Sequence, residues 1–351
     1  MAALLAHAAL EGMPLAQPAL WAALLVAGCA GLSALLILVL KPLLVSYLLA
    51  RPNARSSHKI ATPQGAGLAV MLSVLAGSAL GLLLWAQEPG PSLVPVLAIA
   101  VGLTILGALD DAHALPVSWR LIGQTLASLI LVLSLPEGFQ LFPGLMPLVV
   151  ERALMVVAVV WFVNAVNFLD GLDWMTVAQV VPMTLGIAAL EALGAVPATI
   201  GLLALALLGA TLGFAIFNKH PAQVFLGDAG SLPIGLCLAF MLIFVAQAHL
   251  VAALLLSLYT LADPTLTLFR RLVAREQIFS AHRTHFYQRA VTSGLSVPQV
   301  TARVFLLWLL LACLAVATVL ARSLAVDLLC LGLGLMATGF TLFALARGRP
   351  R

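Results

Sequence analysis

The sequence predicts an all-α polytopic membrane protein of about eleven transmembrane helices, with its active site at the cytoplasmic face. Three observations carry that prediction. The 351 residues are 63% hydrophobic and only 9% charged, against about 25% charge in a soluble domain. The apolar residues fall in runs close to the roughly 20 residues that a helix needs to cross a bilayer. The basic residues lie almost wholly in alternate connections between those runs. With a mean hydropathy of +1.15, lipid is the expected solvent. A single integral membrane domain over residues 1–351 is the expected organisation.

From the N-terminus, the runs cover approximately 20–41, 66–86, 92–109, 120–135, 148–164, 174–192, 196–217, 230–246, 248–263, 301–321 and 324–345. No water inside a bilayer can satisfy backbone N–H and C=O groups, so each run is predicted to be a helix. Little polar sequence separates 230–246 from 248–263. Cys29, Cys237, Cys313 and Cys330 all fall inside apolar runs. They read as small hydrophobic residues, not as a disulfide or metal framework. Met1 is followed by no basic segment, so no cleaved signal peptide is expected.

Orientation follows from the basic residues. One set of connections, with the tail, holds Lys41, Arg51, Arg55, Lys59, Arg120, Lys219, Arg270, Arg271, Arg275, Arg283, Arg289, Arg303, Arg347, Arg349 and Arg351. The other holds only Arg152 and Arg322. The rule that positive loops stay inside makes the first set cytoplasmic, with the N-terminus outside and the C-terminus inside. The net charge of +4 therefore reports topology, and no nucleic-acid partner is expected. Glu11, Glu88, Glu137, Glu151, Glu191 and Asp327 are scattered singly on the outer side as solvated loop charges. Asp110, Asp111, Asp170, Asp173, Asp228, Asp263 and Glu276 lie inside, mostly in tight local patterns.

Five inner motifs carry chemistry-bearing residues. Arg51 to Gly67 is basic and juxtamembrane. It reads either as an anchor on anionic headgroups or as a site where Arg55, His58 and Lys59 neutralise a lipid phosphate. Leu109-Asp110-Asp111-Ala112-His113 places two carboxylates side by side, with Arg120 downstream. Their repulsion calls for a divalent cation, a nearby cation such as Arg120, or a raised pKa. In the third motif Asn164, Asn167, Asp170 and Asp173 are spaced by three, which on a helical turn puts them on one face. They supply the hard oxygen ligands that magnesium takes, and Gly171 permits close approach. In the fourth, Phe225-Leu226-Gly227-Asp228-Ala229-Gly230-Ser231 precedes an apolar run. There Asp228 reads as an N-cap or as something more, and Phe225 as a stacking platform or a membrane anchor. The fifth is the long loop predicted from Asp263 to Pro298, holding His282-Arg283-Thr284-His285-Phe286-Tyr287-Gln288-Arg289. That composition suits phosphates or sugar hydroxyls.

Together and in this order, the five motifs resemble the polyprenyl-phosphate N-acetylhexosamine-1-phosphate transferases. Asn-x-x-Asn-Phe-x-Asp-Gly-x-Asp followed by Phe-x-Gly-Asp-x-Gly-Ser carries most of the likeness, which runs from about Arg51 to Arg289. The resemblance implies that Asp110 and Asp111 form the catalytic acidic pair beside the attacking lipid phosphate, with Arg120 near the phosphates. It implies that Asn167 and Asp228 hold magnesium with Asp170 close by. Asp173 and Phe225 would recognise and stack on uracil with Gly171 beside them, and Arg283 and His285 would cover the sugar phosphate. The expected cofactor is Mg2+, with Mn2+ able to substitute. The expected partners are a UDP-N-acetylhexosamine, undecaprenyl phosphate, membrane lipid and a second copy in a homodimer, in the bacterial inner membrane. Two departures stand out. His282-Arg283-Thr284-His285-Phe286-Tyr287-Gln288 has fewer histidines than the GlcNAc enzyme's motif. It looks like the branch that initiates O-antigen or capsule repeats from UDP-GlcNAc or 6-deoxy sugars such as FucNAc and QuiNAc. Trp174 stands where relatives often continue with glycine.

The implied reaction is attack of the lipid phosphate on the β-phosphate of the UDP-sugar, releasing UMP. The rival class is a secondary transporter, whose polar site would lie near the bilayer midplane in broken helices. The carboxylates here lie instead at the ends of runs, on one side. The charge asymmetry makes one prediction: a reporter fused after Arg351 reads cytoplasmic, and a periplasmic signal overturns the assigned topology.

Overall fold

A computed structural model of the chain describes residues 16–50, 61–85, 93–277 and 282–348. Arg55, His58 and Lys59 lie outside the described residues. The fold is all-α apart from one short strand pair. Helices α1 (Ala16–Tyr47), α2 (Gly67–Trp85) and α3 (Leu93–His113) are followed by α4 (Val117–Leu133), α5 (Leu148–Leu169) and α6 (Met175–Ala192). Then come α7 (Ala198–Asn218), α8 (Asp228–Ala248), α9 (Leu250–Val273), the short α10 (Phe286–Thr292), α11 (Val297–Ala321) and α12 (Leu324–Arg347). Among the described residues, ten helices are long and apolar enough to cross a membrane, and α4 is a shorter apolar helix. The chain is a multi-pass membrane protein.

Burial orders the bundle. Almost every residue of α8 is buried, and α6 and α7 are nearly as enclosed. α1 and α12 keep many leucines exposed, as lipid-facing helices should. α3 and α5 pack on α8, α1 packs along α7, and α11 packs on α6. α8 and α9 are separated by His249 alone, whose extended backbone (φ −157°, ψ 94°) makes the turn. That one residue is the break expected between 230–246 and 248–263.

The helices run further toward the inner end than apolar sequence suggested. α3 continues to His113 and carries Asp110 and Asp111 in its last turns. α5 continues to Leu169 and includes Asn164 and Asn167. The largest correction is α9. It does not stop at Asp263 but continues to Val273, so the predicted loop from Asp263 to Pro298 is part helix at both ends. The reason is an inverted amphipathicity. Thr260, Asp263, Thr267 and Arg271 recur at helical spacing and are all buried, so polar groups face inward while Leu266, Phe269 and Leu272 face out. α11 opens on a capping box, Ser296 with Gln299, which marks a well-defined start.

A small weave closes the inner end. β1 (Leu49–Ala50) pairs antiparallel with β2 (Thr62–Pro63). The Phe225 N–H donates to the Pro63 carbonyl (2.8 Å), and Ala66 and Gly67 donate to the Phe225 and Leu226 carbonyls. The stretch before α2 is thus stitched to the stretch before α8. Gly67 and Gly107 pack directly on the start of α8, where a Cβ at either would lie within 2.2 Å of its backbone.

Candidate active site

The helix ends that the weave gathers hold a web of carboxylates around one arginine. The Asp110–Asp111 repulsion is resolved by giving each carboxylate a different partner. Asp110 accepts from Arg120 (3.2 Å) and from the Leu115 N–H (2.6 Å), which also closes the α3–α4 turn. Asp111 reaches across to α8 and accepts from the backbone N–H groups of Asp228 (2.9 Å) and Ala229 (3.2 Å). These are two of the donors that a helix N-terminus leaves unmatched. Asp228 is therefore the first residue of α8 and not its cap; the cap side chain comes from another helix. Asp111 is a positioning residue for Asp228, with both oxygens engaged.

Asp228 sits at the centre. Asn167 donates from Nδ2 to Asp228 Oδ1 (2.8 Å) and to Ser231 Oγ (2.8 Å). Arg120 Nη1 lies 3.5 Å from Asp228 Oδ2, so one guanidinium bridges Asp110 and Asp228. Asp170, just past the end of α5, binds the Thr176 hydroxyl instead. Desolvation, set against that hydrogen bond and reinforced by Asp111 and Asp173, pushes its carboxyl up to about 7. Among the described residues no three His, Cys, Asp or Glu side chains converge as a metal cage. Magnesium does not need one: it is commonly held by one or two carboxylates together with substrate phosphates. Asp228 and Asn167, hard oxygen donors in contact and opposite a single arginine, fit that mode.

Asp173 and Phe225, expected to receive a uracil, are engaged with protein. Asp173 accepts from the Ala222 N–H (3.1 Å) and pairs with His220 Nδ1 (2.6 Å), holding the segment between α7 and α8. Phe225 lies in the weave, partly buried. Trp174 explains its own oddity. Its backbone is left-handed (φ 64°), a conformation that suits the glycine expected there. Its N–H donates to Asn218 (2.7 Å) and its indole to the Ala215 carbonyl (2.7 Å), which anchors the large side chain. Gly171 admits close approach, and Tyr287 uses it: a Cβ there would lie 2.1 Å from the Tyr287 hydroxyl, which donates to the Phe168 carbonyl (2.8 Å). Burial raises Tyr287 well above the usual tyrosine range, so the hydroxyl stays a donor.

The His282–Arg289 segment hangs on a residue the sequence reading had not assigned. Asp263, fully buried in α9, accepts from the hydroxyls of Tyr259 and Thr267 and from the N–H groups of Phe286 and Tyr287. Its Oδ1 also lies 3.3 Å from His285 Nδ1. A buried carboxylate with so many donors is fully satisfied, and it fixes His285 at the start of α10. His282 is pushed down to about 4 by burial and by neighbouring His285, Arg271 and Arg270, so it faces the site neutral. Arg270 donates to the Thr284 carbonyl (2.6 Å), which fastens the segment to α9; Arg283 lies beside it, half-buried.

These parts meet in a cleft of about 750 Å3 between α4, α5, α9 and the His282 segment. Its inner end is lined by Arg120, Asn167, Phe168, His282, His285 and Gln288. Further along, the lining turns to Leu121, Val156, Val157, Val160 and Leu268. Leu121, Val157 and Leu268's neighbour Phe269 are exposed on the bundle's outer surface. Phe168 and Trp161 line this cleft, and Phe225 does not. The place of Phe168 in Asn167-Phe168-Leu169-Asp170, between two polar positions, was the available signal.

Comparison with known proteins agrees with this architecture. Residues 93–246, which include most of the carboxylate web, match the family model described as glycosyl transferase family 4. These matches support the resemblance to the polyprenyl-phosphate HexNAc-1-phosphate transferase superfamily. It is 26% identical to a probable undecaprenyl-phosphate N-acetylglucosaminyl 1-phosphate transferase of Bacillus subtilis, over 70% of each chain. It is 27% identical to a phospho-N-acetylmuramoyl-pentapeptide-transferase of Sorangium cellulosum, over 78% of this chain and 84% of that one. A decaprenyl-phosphate N-acetylglucosaminephosphotransferase of Mycobacterium leprae is 26% identical over 73% of each.

One glycine tests the central contact. Gly227 has φ +74°, and a Cβ there would lie 2.3 Å from Asp111 Oδ2. Gly138 has φ +72° and nothing within 4 Å. Alanine at Gly138 should cost about 1 kcal/mol for its positive φ; at Gly227, whose ψ of 174° is a conformation kept almost wholly to glycine, the backbone cost alone is about 1–3 kcal/mol, and the clash with Asp111 adds to it. Gly227→Ala should lower the thermal unfolding midpoint in detergent well beyond Gly138→Ala; equal shifts would show that neither the Gly227 backbone nor the Asp111 approach constrains the start of α8.

Proposed function

We propose that the protein transfers HexNAc-1-phosphate from a UDP-activated N-acetylhexosamine to polyprenyl phosphate. The products are UMP and polyprenyl-diphospho-HexNAc, formed at the cytoplasmic face of a bacterial inner membrane. The observation that carries this reading is the cleft. One end holds a phosphate-competent arginine between two carboxylates, and the other is an apolar wall reaching the lipid-facing surface. A substrate that fits both ends has a charged phosphate and a long hydrocarbon tail. Two of the relatives are named as transferases of undecaprenyl or decaprenyl phosphate, and a third as a phospho-N-acetylmuramoyl-pentapeptide-transferase. A secondary transporter would hold its polar groups mid-bundle, whereas Asp110, Arg120, Asn167 and Asp228 all sit in terminal turns.

In the proposed reaction a nonbridging oxygen of the lipid phosphate forms a bond to the β-phosphorus. The bond from that phosphorus to the bridging oxygen breaks, and UMP departs with the electron pair. The acceptor is already an anion, so direct attack needs no strong base. Phosphoryl transfer is mostly positioning and charge stabilisation. Arg120 holds phosphate charge at the junction of Asp110 and Asp228. Asp111 fixes the start of α8 and with it Asp228, while Asn167 orients the Asp228 carboxylate. The His282–Gln288 segment, pinned by Asp263, closes over the sugar-phosphate side. Mg2+, held by Asp228 and Asn167, would neutralise the diphosphate and the leaving UMP. The product class is the first membrane-linked intermediate of a cell-surface polysaccharide, with O-antigen or capsule favoured by the His282–Arg289 pattern.

Purified protein with a UDP-HexNAc and undecaprenyl phosphate should release UMP only with Mg2+ or Mn2+. Undiminished release in excess chelator would remove the metal from the mechanism. Asp228→Asn keeps the shape of the side chain but loses its charge, and should cut turnover at least about a hundredfold, the scale of losing a principal transition-state group. Near-normal turnover with intact insertion would refute the assignment. A panel of UDP-sugars in the same assay identifies the sugar.

A further inference from the structure

Two carboxamides in the cleft are accounted for by nothing above. Asn164 lies one turn from Asn167 on α5, and Gln124 one turn from Arg120 on α4. Both are therefore a turn deeper in the cleft than the charged end. Gln124 is only 3% exposed, yet both residues line the cleft. Their hydrogen bonds fix which atom points where. Asn164 Nδ2 donates to the Val160 carbonyl (2.8 Å), a group that can only accept, and the same nitrogen donates to Gln124 Oε1. The oxygen of Gln124 is thus committed to α5. Its Nε2 makes no hydrogen bond among the described residues and is not one of the fully buried side-chain atoms, so this donor opens into the cleft. Around it the lining is apolar: Leu121, Val156, Val160 and Trp161.

We infer that Gln124 binds the lipid acceptor at the junction of its phosphate and its first isoprene, with Nε2 donating to a phosphate oxygen. The inference rests on the polyprenyl phosphate reading above and deepens it. Along the cleft the order is Arg120 with Asn167, then Gln124 with Asn164, then hydrocarbon walls. A polyprenyl monophosphate has the same order of charge, ester oxygen and apolar chain. A neutral donor suits this depth. A second full cation beside Arg120 would hold the phosphate more tightly but would quench the oxygen that must attack; an amide N–H fixes position and leaves the charge in place. Asn164 supports this indirectly, by holding Gln124 Oε1 and so turning Nε2 into the cleft.

The test separates binding from catalysis. Full-length protein in detergent is titrated, without any sugar nucleotide, with a polyprenyl monophosphate and with the polyprenol of equal length. Tryptophan fluorescence is the readout, because Trp161 lines the cleft. The wild type should prefer the phosphate. Gln124→Leu should weaken the phosphate about tenfold, the scale of one hydrogen bond to a charged group, and leave the alcohol unchanged. Gln124→Glu keeps the oxygen that Asn164 needs while deleting the donor, so it preserves the helix contact and should lose the preference as well. In steady state, both variants should raise KM for the acceptor and leave KM for the UDP-sugar alone. An unchanged phosphate preference in the glutamate variant overturns the inference, as does equal weakening of phosphate and alcohol. A wild type that binds neither ligand sinks the acceptor reading itself. Binding without UMP release sinks the transfer reading and leaves Gln124 standing.

Discussion

The inner end of the molecule depends on two backbone N–H groups whose partner lies on another helix. α8 begins at Asp228 with no side-chain cap of its own, and Asp111 of α3 supplies the carboxylate that its first donors need. Charge-assisted hydrogen bonds of this kind are among the stronger ones in proteins, about 1.5–3 kcal/mol each. Glycines on either side let the contact form. Gly227 leaves room for the carboxylate, and Gly67 and Gly107 let two helices close on the start of α8. Because α8 is the most enclosed helix, fixing its end fixes the frame from which Asp228 projects.

This dependence changes how the paired aspartates should be understood. Adjacent carboxylates in sequence suggested two equivalent groups. In the fold they diverge: Asp110 faces Arg120 and Asp111 faces backbone. A similar separation runs through the Asn164–Asp173 stretch. Asn167 turns to Asp228, Asp170 to Thr176, and Asp173 to His220. The residues are close in sequence, but the helix end at Leu169 and the left-handed Trp174 send their side chains to different walls.

Much of the fold could be read from composition and charge, because a bilayer permits so few backbone arrangements. The motif residues were legible as polar groups at the ends of apolar runs. What could not be read were partners that require three dimensions. Asp263 looked like the start of a loop because an apolar run ended there, yet the helix continues with its polar face inward. Gln124, a lone polar residue inside the apolar run 120–135, carried no sequence signal of the contact it makes with Asn164. Phe225 was the aromatic the sequence singled out; its backbone joins the weave, while Phe168 lines the cleft. Hydropathy finds where the chain meets lipid; it does not say which polar side chain meets which.

The shortness of α4 has a consequence for the lipid around it. At 1.5 Å per residue its 17 residues span about 25 Å, less than the roughly 30 Å of a bilayer's hydrocarbon core. A helix that falls short is accommodated by local thinning of the membrane, by snorkelling of flanking side chains or by association with other helices. α4 is also one wall of the cleft, so thinning beside it would lie at the cleft's mouth. It would draw headgroups toward the level of Arg120 and shorten the vertical distance an anionic lipid travels to the cleft. The membrane's own deformation would then do part of the work of delivering an anionic headgroup to a site set among helix ends.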